Sequence, residues 1–215
     1  MINTLIFDLD GTLVDTSGDI TDAANYSLEK NGFPAITQKT CIRLIGDGLD
    51  QFLMEVTNKK GNLQQLRASY LYYYSQNLVN KTKPYPGIKE LLSWLKEKGL
   101  TLAILTNKRE DLSLEILECH DMVGYFDIVA GEDTYHVRKP DPKGLLTLMD
   151  QLGGDKDTTL FVGDGDTDIK VSQNGGIKVI AVTYGYRARD ELSKLNPDYI
   201  VDSVSDIKTA IKTFS

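Results

Sequence analysis

Short, continuous apolar runs that alternate with helical patterns constrain the fold of this chain more than any other feature. The runs span residues 2–8, 100–106, 126–130, 158–163 and 177–183, with a shorter one at 198–201. Continuous apolar runs are typical of strands that are covered on both faces. Helical patterns lie between or after them, at 88–99, 141–154 and 202–214. This order predicts an α/β fold with a doubly wound, Rossmann-like parallel sheet.

One segment interrupts the alternation directly after the first strand. Its pattern is helical throughout, with predicted helices near 16–31, 38–45, 48–58 and 63–80. The stretch KTKPYPG at 81–87 predicts a linker back to the α/β part. We therefore expect an α/β core of residues 1–15 and 83–215 and a small all-helical insert of residues 16–82. An insert at this point lies above the carboxyl ends of the strands, where ligands bind in such sheets.

The composition disfavours several classes of partner. The 215 residues include 31 acidic and 24 basic side chains, a net charge of −7, without a block of Lys or Arg. We therefore expect neither nucleic acid nor an anionic membrane as a partner. Cys41 and Cys119 are isolated in the sequence, which favours a reducing compartment. Because the sequence shows no signal-like segment and no apolar run of about 20 residues, we expect a cytoplasmic protein.

Polar side chains come after several of these runs, at points where a strand is expected to have ended. They are Asp8 and Asp10, Thr106 and Asn107, Lys139, and Asp164 and Asp168. The carboxyl ends of parallel strands lie along one edge of a sheet. We therefore expect these distant segments to converge on one site.

The side chains of this group suit the chemistry of phosphoryl transfer. Mg²⁺ prefers carboxylates, while a hydroxyl, an amide and an ammonium suit phosphoryl oxygens. One carboxylate can form an aspartyl-phosphate as a nucleophile, and a second can donate a proton to the leaving group. The four aspartates would carry −4, and Mg²⁺ with Lys139 would supply +3. A proton on Asp10, the state that a general acid needs, would therefore balance the site.

Each of these residues has an ordinary explanation when it is taken alone. An Asp at a strand end is usually a turn residue, and a lone Lys is usually a solvated charge. The stretch GDGDTD at 163–168 does not fit a calcium-binding loop, because Ile169 and Gly175 stand where Gly and Glu are required. It does not fit a dinucleotide fingerprint either, because Asp168 stands at the last glycine position. The combination in this order favours one phosphate site.

Two features of the helical insert have alternative interpretations. A set of residues at helical spacing favours core packing over an aromatic binding stripe: Leu63, Leu66, Tyr70, Tyr74 and Leu78. The stretch RLIGDGLD at 43–50 contains Arg43, Gly46, Asp47 and Gly48. This stretch fits equally a plain helix–helix turn and a loop that presents backbone N–H groups to a substrate.

Four stretches together carry a family resemblance. FDLDGTLVDT, LTNK, RKPDP and FVGDGDTD resemble, in this order, the four signature motifs of the haloacid dehalogenase superfamily of hydrolases. The resemblance covers essentially the whole chain, and the helical insert is similar to the small helical cap of that family. Within the superfamily, the chain most resembles the bacterial phosphoglycolate phosphatases through LIGDGL, AGEDTYHVRKPDP, LFVGD and VTYGY.

The resemblance implies roles for the four aspartates. Asp8 would be the nucleophile and a Mg²⁺ ligand. Asp10 would be the general acid and base, and would bind Mg²⁺ through its backbone carbonyl. Asp164 would be a direct Mg²⁺ ligand, and Asp168 would reach the ion indirectly or through water.

The resemblance also implies a phosphate site and a substrate. Thr106 and Asn107, with the backbone around Leu9 and Gly11, would hold the phosphoryl group, and Lys139 would bridge the nucleophile and the phosphate. The implied enzyme is a Mg²⁺-dependent phosphatase for a small phosphorylated metabolite, with 2-phosphoglycolate as the expected substrate. The alternatives are a pyrophosphatase or a sugar-phosphate phosphatase or mutase of the same superfamily. We expect a monomer or a homodimer.

Two positions depart from the pattern of these relatives. Gly165 stands where Ser is frequent, and Asp47 stands where Asn is frequent. The charge of Asp47 near the mouth of the cap would disfavour a carboxylated substrate unless Arg43 or another cation offsets it. A receiver-like phospho-switch is the alternative from a different class, because it too uses an acidic Mg²⁺ site, an Asp, a Thr and a Lys. It usually has about half this length and no reason for a helical insert.

Overall fold

The computed structural model describes residues 1–214, and a six-stranded parallel sheet forms its centre. The strands of the chain are β1 Thr4–Phe7, β2 Val14–Asp15, β3 Lys83–Pro84, β4 Thr101–Leu105, β5 Ile128–Ala130, β6 Thr159–Gly163, β7 Lys178–Val182 and β8 Tyr199–Val201. The central sheet has the order β5–β4–β1–β6–β7–β8, and every neighbouring pair in it is parallel. The predicted α/β fold is confirmed.

The strand order reverses beside β1, and this reversal determines where a ligand binds. The chain passes from β1 to β4 and β5 on one side and then returns to β6 on the other side. Open α/β sheets bind ligands outside the carboxyl ends of their strands at such a reversal. Phe7 pairs with Ile104 and Val162, so the chain that follows Phe7 emerges between the ends of β4 and β6. Asp8 extends this ladder, since its N–H donates to the Val162 carbonyl oxygen at 2.9 Å.

Burial on both faces explains the continuous apolar sequence of β1. Leu5, Ile6 and Phe7 are all fully buried. Successive side chains of a strand point to opposite faces of a sheet. Leu5 and Phe7 accordingly belong to one hydrophobic cluster, whereas Ile6 belongs to a second cluster. Each face therefore demands apolar residues, and no position of the strand is left for a solvated side chain.

Ten α-helices are present within residues 1–214, and four of them precede β3. They are α1 Ser17–Lys30, α2 Gln38–Leu44, α3 Leu49–Val56, α4 Leu63–Tyr74, α5 Ile88–Glu97, α6 Glu110–Cys119, α7 Pro142–Gln151, α8 Asp166–Gly175, α9 Arg189–Ser193 and α10 Val204–Thr213. The helix predicted near 63–80 is shorter, since α4 ends at Tyr74. No helix within this range is long and apolar enough to cross a bilayer.

The two chain segments that join the helical insert to the sheet pair with each other. β2 and β3 form an antiparallel ribbon, so the predicted linker at 81–87 is partly a strand. The buried carboxylate of Asp19 reinforces this crossing, because it accepts hydrogen bonds from the N–H groups of Lys81 and Thr82 at 2.8 to 3.0 Å. The division into a core and a separate helical domain stays a prediction.

Candidate active site

A cleft lies between the carboxyl edge of the sheet and the helical insert. Its polar side carries Asp8 and Asp10 after β1, residues 106–108 after β4, and Asp164 after β6. Its opposite side comes from α1, α3 and α4 and is mostly apolar. The cleft therefore joins a charged site at the strand ends to an apolar wall from the insert.

Asp8, Lys139 and Asp168 form a buried charged cluster at the sheet edge. The Lys139 Nζ lies 2.8 Å from Asp8 Oδ1 and 2.7 Å from Asp168 Oδ1. Lys139 arrives on the loop between β5 and α7, and Asp168 lies in the first turn of α8. The second oxygen of Asp168 accepts a hydrogen bond from the Gly165 N–H at 2.9 Å. Both oxygens of Asp168 are therefore occupied by protein groups.

Asp164 completes a group of three buried carboxylates. Asp8, Asp164 and Asp168 each offer an oxygen atom, and these atoms lie within 4.8 Å of one another. One Asp164 oxygen accepts a hydrogen bond from the Tyr186 N–H at 2.6 Å, and the other accepts one from the Thr12 hydroxyl at 3.2 Å. Mg²⁺ prefers oxygen ligands such as carboxylates, so three carboxylates at this spacing could hold it.

Glycine allows the backbone to approach these carboxylates closely. Gly11 has a φ of +81°, and a Cβ atom there would collide with the carboxylate of Asp164. A Cβ atom at Gly185 would collide with the carbonyl oxygen of Gly11. The loop after β1 therefore passes directly over Asp164, and any side chain at position 11 would fill the space beside the carboxylates.

The electrostatics of the cluster favour a divalent cation. Burial raises the pKa of Asp8 to about 7, with Lys139 opposing this shift and Asp168 adding to it. Burial, followed by repulsion from Asp168 and Asp8, raises the pKa of Asp164 well above its ordinary range. Burial alone would lower the pKa of Lys139, but Asp168 and Asp8 raise it, so the ammonium stays charged. Three carboxylates and one ammonium leave an excess of two negative charges, which fits Mg²⁺.

A second lysine neutralises Asp10, and the sequence reasoning did not identify it. The Lys108 Nζ lies 2.8 Å from Asp10 Oδ2, and the Thr16 hydroxyl donates to Asp10 Oδ1 at 2.6 Å. The expected proton on Asp10 is thus not required for neutrality, because four carboxylates are matched by two lysines and a divalent ion. The signal for Lys108 was its place in LTNK, two residues after Thr106 at the same sheet edge.

Asn107 has a different environment from the one expected. Its side-chain amide donates to the carbonyl oxygens of Lys139 and Gly46 at 3.0 and 2.8 Å and accepts from the Lys139 N–H at 2.8 Å. This amide therefore positions the Lys139 loop and is not free to hold a phosphoryl group. The backbone N–H of Asn107 has no hydrogen-bond partner within residues 1–214. The Thr106 side chain lines the cleft, and its hydroxyl accepts from the Lys108 N–H at 3.2 Å.

The glycine-containing loop of the insert meets the core through carbonyl oxygens. Gly46 and Gly48 line the cleft, whereas the expected Arg43 and Asp47 are exposed and lie off its wall. Arg187 lines the cleft instead and donates to the Ile45 carbonyl oxygen at 2.7 Å. Arg187 thus supplies a cation at the cleft that sequence reasoning missed, and the charge of Asp47 is not part of the wall.

Comparisons with known proteins identify the family of this chain. The model of the haloacid dehalogenase-like hydrolase family matches residues 5–182. A phosphoglycolate phosphatase from Agrobacterium fabrum is 32% identical over 96% of this chain and 91% of its own length. A phosphoglycolate phosphatase from Mesorhizobium japonicum is 36% identical over 86% of this chain and 84% of its own length.

A solved structure gives the same result for the fold. The crystal structure described as a predicted phosphoglycolate phosphatase from Haemophilus somnus is similar with a TM-score of 0.91 and 29% identity, covering 98% of both chains. The match of the family model spans the strands that directly precede Asp8, Thr106 and Asp164 and the loop that bears Lys139. The chain therefore belongs to the haloacid dehalogenase-like hydrolase family, and within it to the phosphatases.

Proposed function

We propose that this enzyme is a Mg²⁺-dependent phosphatase that hydrolyses 2-phosphoglycolate through an aspartyl-phosphate on Asp8. The observation that carries the proposal is the buried cluster in which Lys139 lies between Asp8 and Asp168. A nucleophilic carboxylate next to a phosphoryl group needs a cation that favours its ionised form and attracts the phosphoryl oxygens. The names of the two relatives support the choice of substrate.

The reaction needs two displacements at phosphorus. In the first, an oxygen of Asp8 attacks phosphorus, the bond to the leaving oxygen breaks, and Asp10 gives that oxygen a proton. In the second, water attacks phosphorus, Asp10 takes the proton of the water, and the bond between phosphorus and Asp8 breaks. Asp10 ends with the proton with which it began. Lys108 and Thr16 fix the orientation of the Asp10 carboxylate for both transfers.

The remaining polar groups would hold the phosphoryl oxygens. Lys139 supplies a charged donor, Thr106 supplies a hydroxyl at the cleft, and the N–H of Asn107 is free of protein partners. Gly11 allows the backbone to pass close to the same point. Donors fixed on three different loops would orient the phosphorus for attack by Asp8.

The carboxylates would hold the metal ion. Asp8, Asp164 and the backbone carbonyl of Asp10 would be its direct ligands, and Asp168 would reach it through water. The membership of the haloacid dehalogenase-like hydrolase family and the group of three buried carboxylates both support a divalent metal ion at this point. When bound, Mg²⁺ neutralises the negative charge of the transferring phosphoryl group.

We also infer that residues 16–82 form a cap over an α/β core of residues 1–15 and 83–215. Two groups of the core support this inference through hydrogen bonds to the insert. The Arg187 guanidinium donates to the carbonyl oxygens of Ile42 and Ile45, and Asn107 donates to that of Gly46. A cap in this position excludes bulk water and contacts the leaving group.

A panel of phosphorylated compounds tests the proposed substrate. Phosphate release with Mg²⁺ is measured for 2-phosphoglycolate, pyrophosphate and several sugar phosphates. We expect the highest kcat/KM for 2-phosphoglycolate. A higher value for pyrophosphate or for a sugar phosphate would reject the substrate but not the phosphatase class.

Replacing Asp10 by Asn is expected to separate catalysis from metal binding. Turnover should fall by about a hundredfold or more, because an amide is not a general acid. Mg²⁺ affinity should change little, since the proposed ligand at this position is the backbone carbonyl. Phosphate release and calorimetric Mg²⁺ titration of the same preparation check both statements. Near-normal turnover in this variant would reject Asp10 as the general acid.

Mg²⁺ affinity is expected to rise with pH at least up to about 7. The pKa of Asp8 is raised to about 7 in the metal-free site, so below that pH a proton competes with the metal ion. The proton on Asp8 alone predicts about a tenfold loss of affinity for each pH unit below 7, and the raised pKa of Asp164 adds to this loss. Calorimetry in two buffers of different ionisation enthalpy measures the protons released. A constant affinity between pH 5.5 and 7 would contradict the environment described for Asp8.

A further inference from the structure

Tyr74, the last residue of α4, has a buried hydroxyl without a partner. The side chain is 1% exposed, and its oxygen makes no hydrogen bond within residues 1–214. Leaving a buried hydroxyl unsatisfied destabilises a folded chain, so native proteins rarely do so without a functional reason. Helical spacing explains why the Tyr74 ring is buried, but an apolar ring would pack equally well there. The hydroxyl therefore requires its own explanation.

Tyr74 lies on the leaving-group side of the cleft. It lines the cleft together with Asp10 and Lys108. The Lys108 Nζ lies 5.1 Å from the centroid of the Tyr74 ring and 2.8 Å from Asp10 Oδ2. Asp10 is the proposed proton donor to the leaving oxygen, so Tyr74 lies next to the atoms that depart. The other buried polar atom without a partner, His120 Nε2, is not on this wall.

The surroundings of the Tyr74 hydroxyl define what it can bind. The neighbouring wall is apolar and aromatic, with the Tyr70 ring centroid 5.3 Å from that of Tyr74 and the Phe52 ring centroid 6.4 Å from that of Tyr70. Burial and then the charge of Asp10 raise the pKa of Tyr74 well above its ordinary range. The hydroxyl thus stays protonated and acts as a donor. One donor on an apolar wall selects a tail that carries a hydrogen-bond acceptor.

The tail of the proposed substrate, 2-phosphoglycolate, supplies such an acceptor because it ends in a carboxylate. Lys108, Arg109 and Arg187 line this cleft together with acidic residues, and of these three cations only Arg187 makes no ion pair within residues 1–214. We propose that the Tyr74 hydroxyl donates a hydrogen bond to the carboxylate of a short leaving group, with the Lys108 ammonium 5.1 Å from the centroid of the Tyr74 ring. Tyr74 is then the residue that determines the preference for carboxylated phosphomonoesters. This inference rests on the proposed function, since it assigns the carboxylate of that substrate to a particular side chain.

Tyr74→Phe, assayed with two substrates of matched shape, tests the assignment. Isobutyl phosphate carries two methyl groups where 2-phosphoglycolate carries its two carboxylate oxygens. For 2-phosphoglycolate, we expect kcat/KM to fall by about tenfold or more, mainly through KM, because a hydrogen bond to a charged group is lost. For isobutyl phosphate, kcat/KM should not change. 3-Phosphonopropionate has no cleavable ester bond and can only bind as an inhibitor. Its inhibition constant should rise by the same factor by which kcat/KM for 2-phosphoglycolate falls.

A matched control and a stability measurement complete the test. Tyr73→Phe removes a hydroxyl from the same helix at a position that does not line the cleft, since the Tyr73 ring stacks on Tyr26 with the centroids 4.8 Å apart. This variant should change kcat/KM for neither substrate. The Tm of Tyr74→Phe should not fall, since only an unsatisfied oxygen is removed. If the wild-type enzyme prefers 2-phosphoglycolate but Tyr74→Phe loses kcat/KM equally for both substrates, or for neither, the inference about Tyr74 is overturned and the proposed substrate is kept. A wild-type enzyme without that preference would overturn the proposed substrate as well.

Discussion

Replacing Asp8 by Asn should abolish turnover and leave a folded protein. We expect kcat to fall by at least about 10,000-fold, because an amide oxygen is not a nucleophile that forms an acyl phosphate. The shape of the side chain is kept, and its oxygen can still accept the hydrogen bond from the Leu9 N–H at 2.7 Å. Phosphate release in the steady state measures the loss. Wild-type enzyme should complete many turnovers, whereas a receiver-like phospho-switch would complete at most one.

The stability of the same variant distinguishes lost chemistry from lost folding. The pKa of Asp8 is 3.8 in its ordinary state and about 7 in the folded chain. Between these values the folded chain binds a proton at Asp8 and the unfolded chain does not, so the free energy of unfolding falls as pH rises. Asn at this position has no proton to lose, so the free energy of unfolding of Asp8→Asn does not fall with pH in this way. Without metal at pH 7.5, its Tm should equal or exceed that of the wild type.

A control for these measurements comes from an aspartate on the surface. Asp157→Asn changes the same functional group at an exposed position and should alter neither turnover nor the pH dependence of unfolding. If Asp8→Asn were inactive and also markedly less stable than Asp157→Asn at pH 7.5, its inactivity would reflect unfolding. The proposed nucleophile would then have no support from this experiment.

The sheet was predictable because its strands are buried on both faces. Leu5, Ile6 and Phe7 form a run without polar positions since both sides of the sheet exclude water. The helix α8 was harder to predict, because its first turn, at Asp166 to Asp168, reads as a turn-forming GDGDTD loop. The β2–β3 ribbon was also missed, since two-residue strands carry no periodicity that a sequence can show.

The site was predictable where topology decides and unpredictable where side-chain geometry decides. Asp8 and Lys139 meet because strand ends share one edge, which follows from the order of elements. The ion pair between Lys108 and Asp10 joins residues 98 positions apart, and a lone lysine in a loop is usually solvated. The contacts of the Asn107 amide were unpredictable for a related reason. Its partners are backbone groups of Gly46 and Lys139, whose positions depend on loop conformations that no residue pattern encodes.

Replacing Lys139 by Met should remove both turnover and a large part of the stability. Lys139 is 5% exposed, and its ammonium contacts Asp8 and Asp168 at 2.8 and 2.7 Å. Deleting one partner of a buried ion pair typically costs about 3–5 kcal/mol of unfolding free energy. Here two carboxylates lose their partner at once, so we expect at least the lower end of that range. Chemical denaturation without metal at pH 7.5 measures the loss.

The loss of stability should depend on pH in a defined direction. At a pH below the ordinary carboxylate range Asp8 is protonated in the folded and the unfolded chain, so it needs no counter-charge and the penalty shrinks. As pH rises, the unfolded chain ionises first, and the folded variant must either keep a proton or bury an unpaired charge. The difference in unfolding free energy between wild type and Lys139→Met should therefore grow as pH rises through about 7, where Asp8 ionises in the folded wild type and keeps its proton in the folded variant. The exposed Lys143, changed to Met, should show no such growth.

Added Mg²⁺ separates the structural role of Lys139 from its role toward the substrate. The metal ion brings two positive charges to the same carboxylates, so it should restore part of the stability of Lys139→Met. It should not restore turnover, because the donor that contacts Asp8 and is proposed to hold the phosphoryl oxygens is still missing. Recovery of turnover together with stability would show that Lys139 only balances charge. Unchanged stability in the metal-free variant would instead contradict the buried ion pairs on which the proposed site depends.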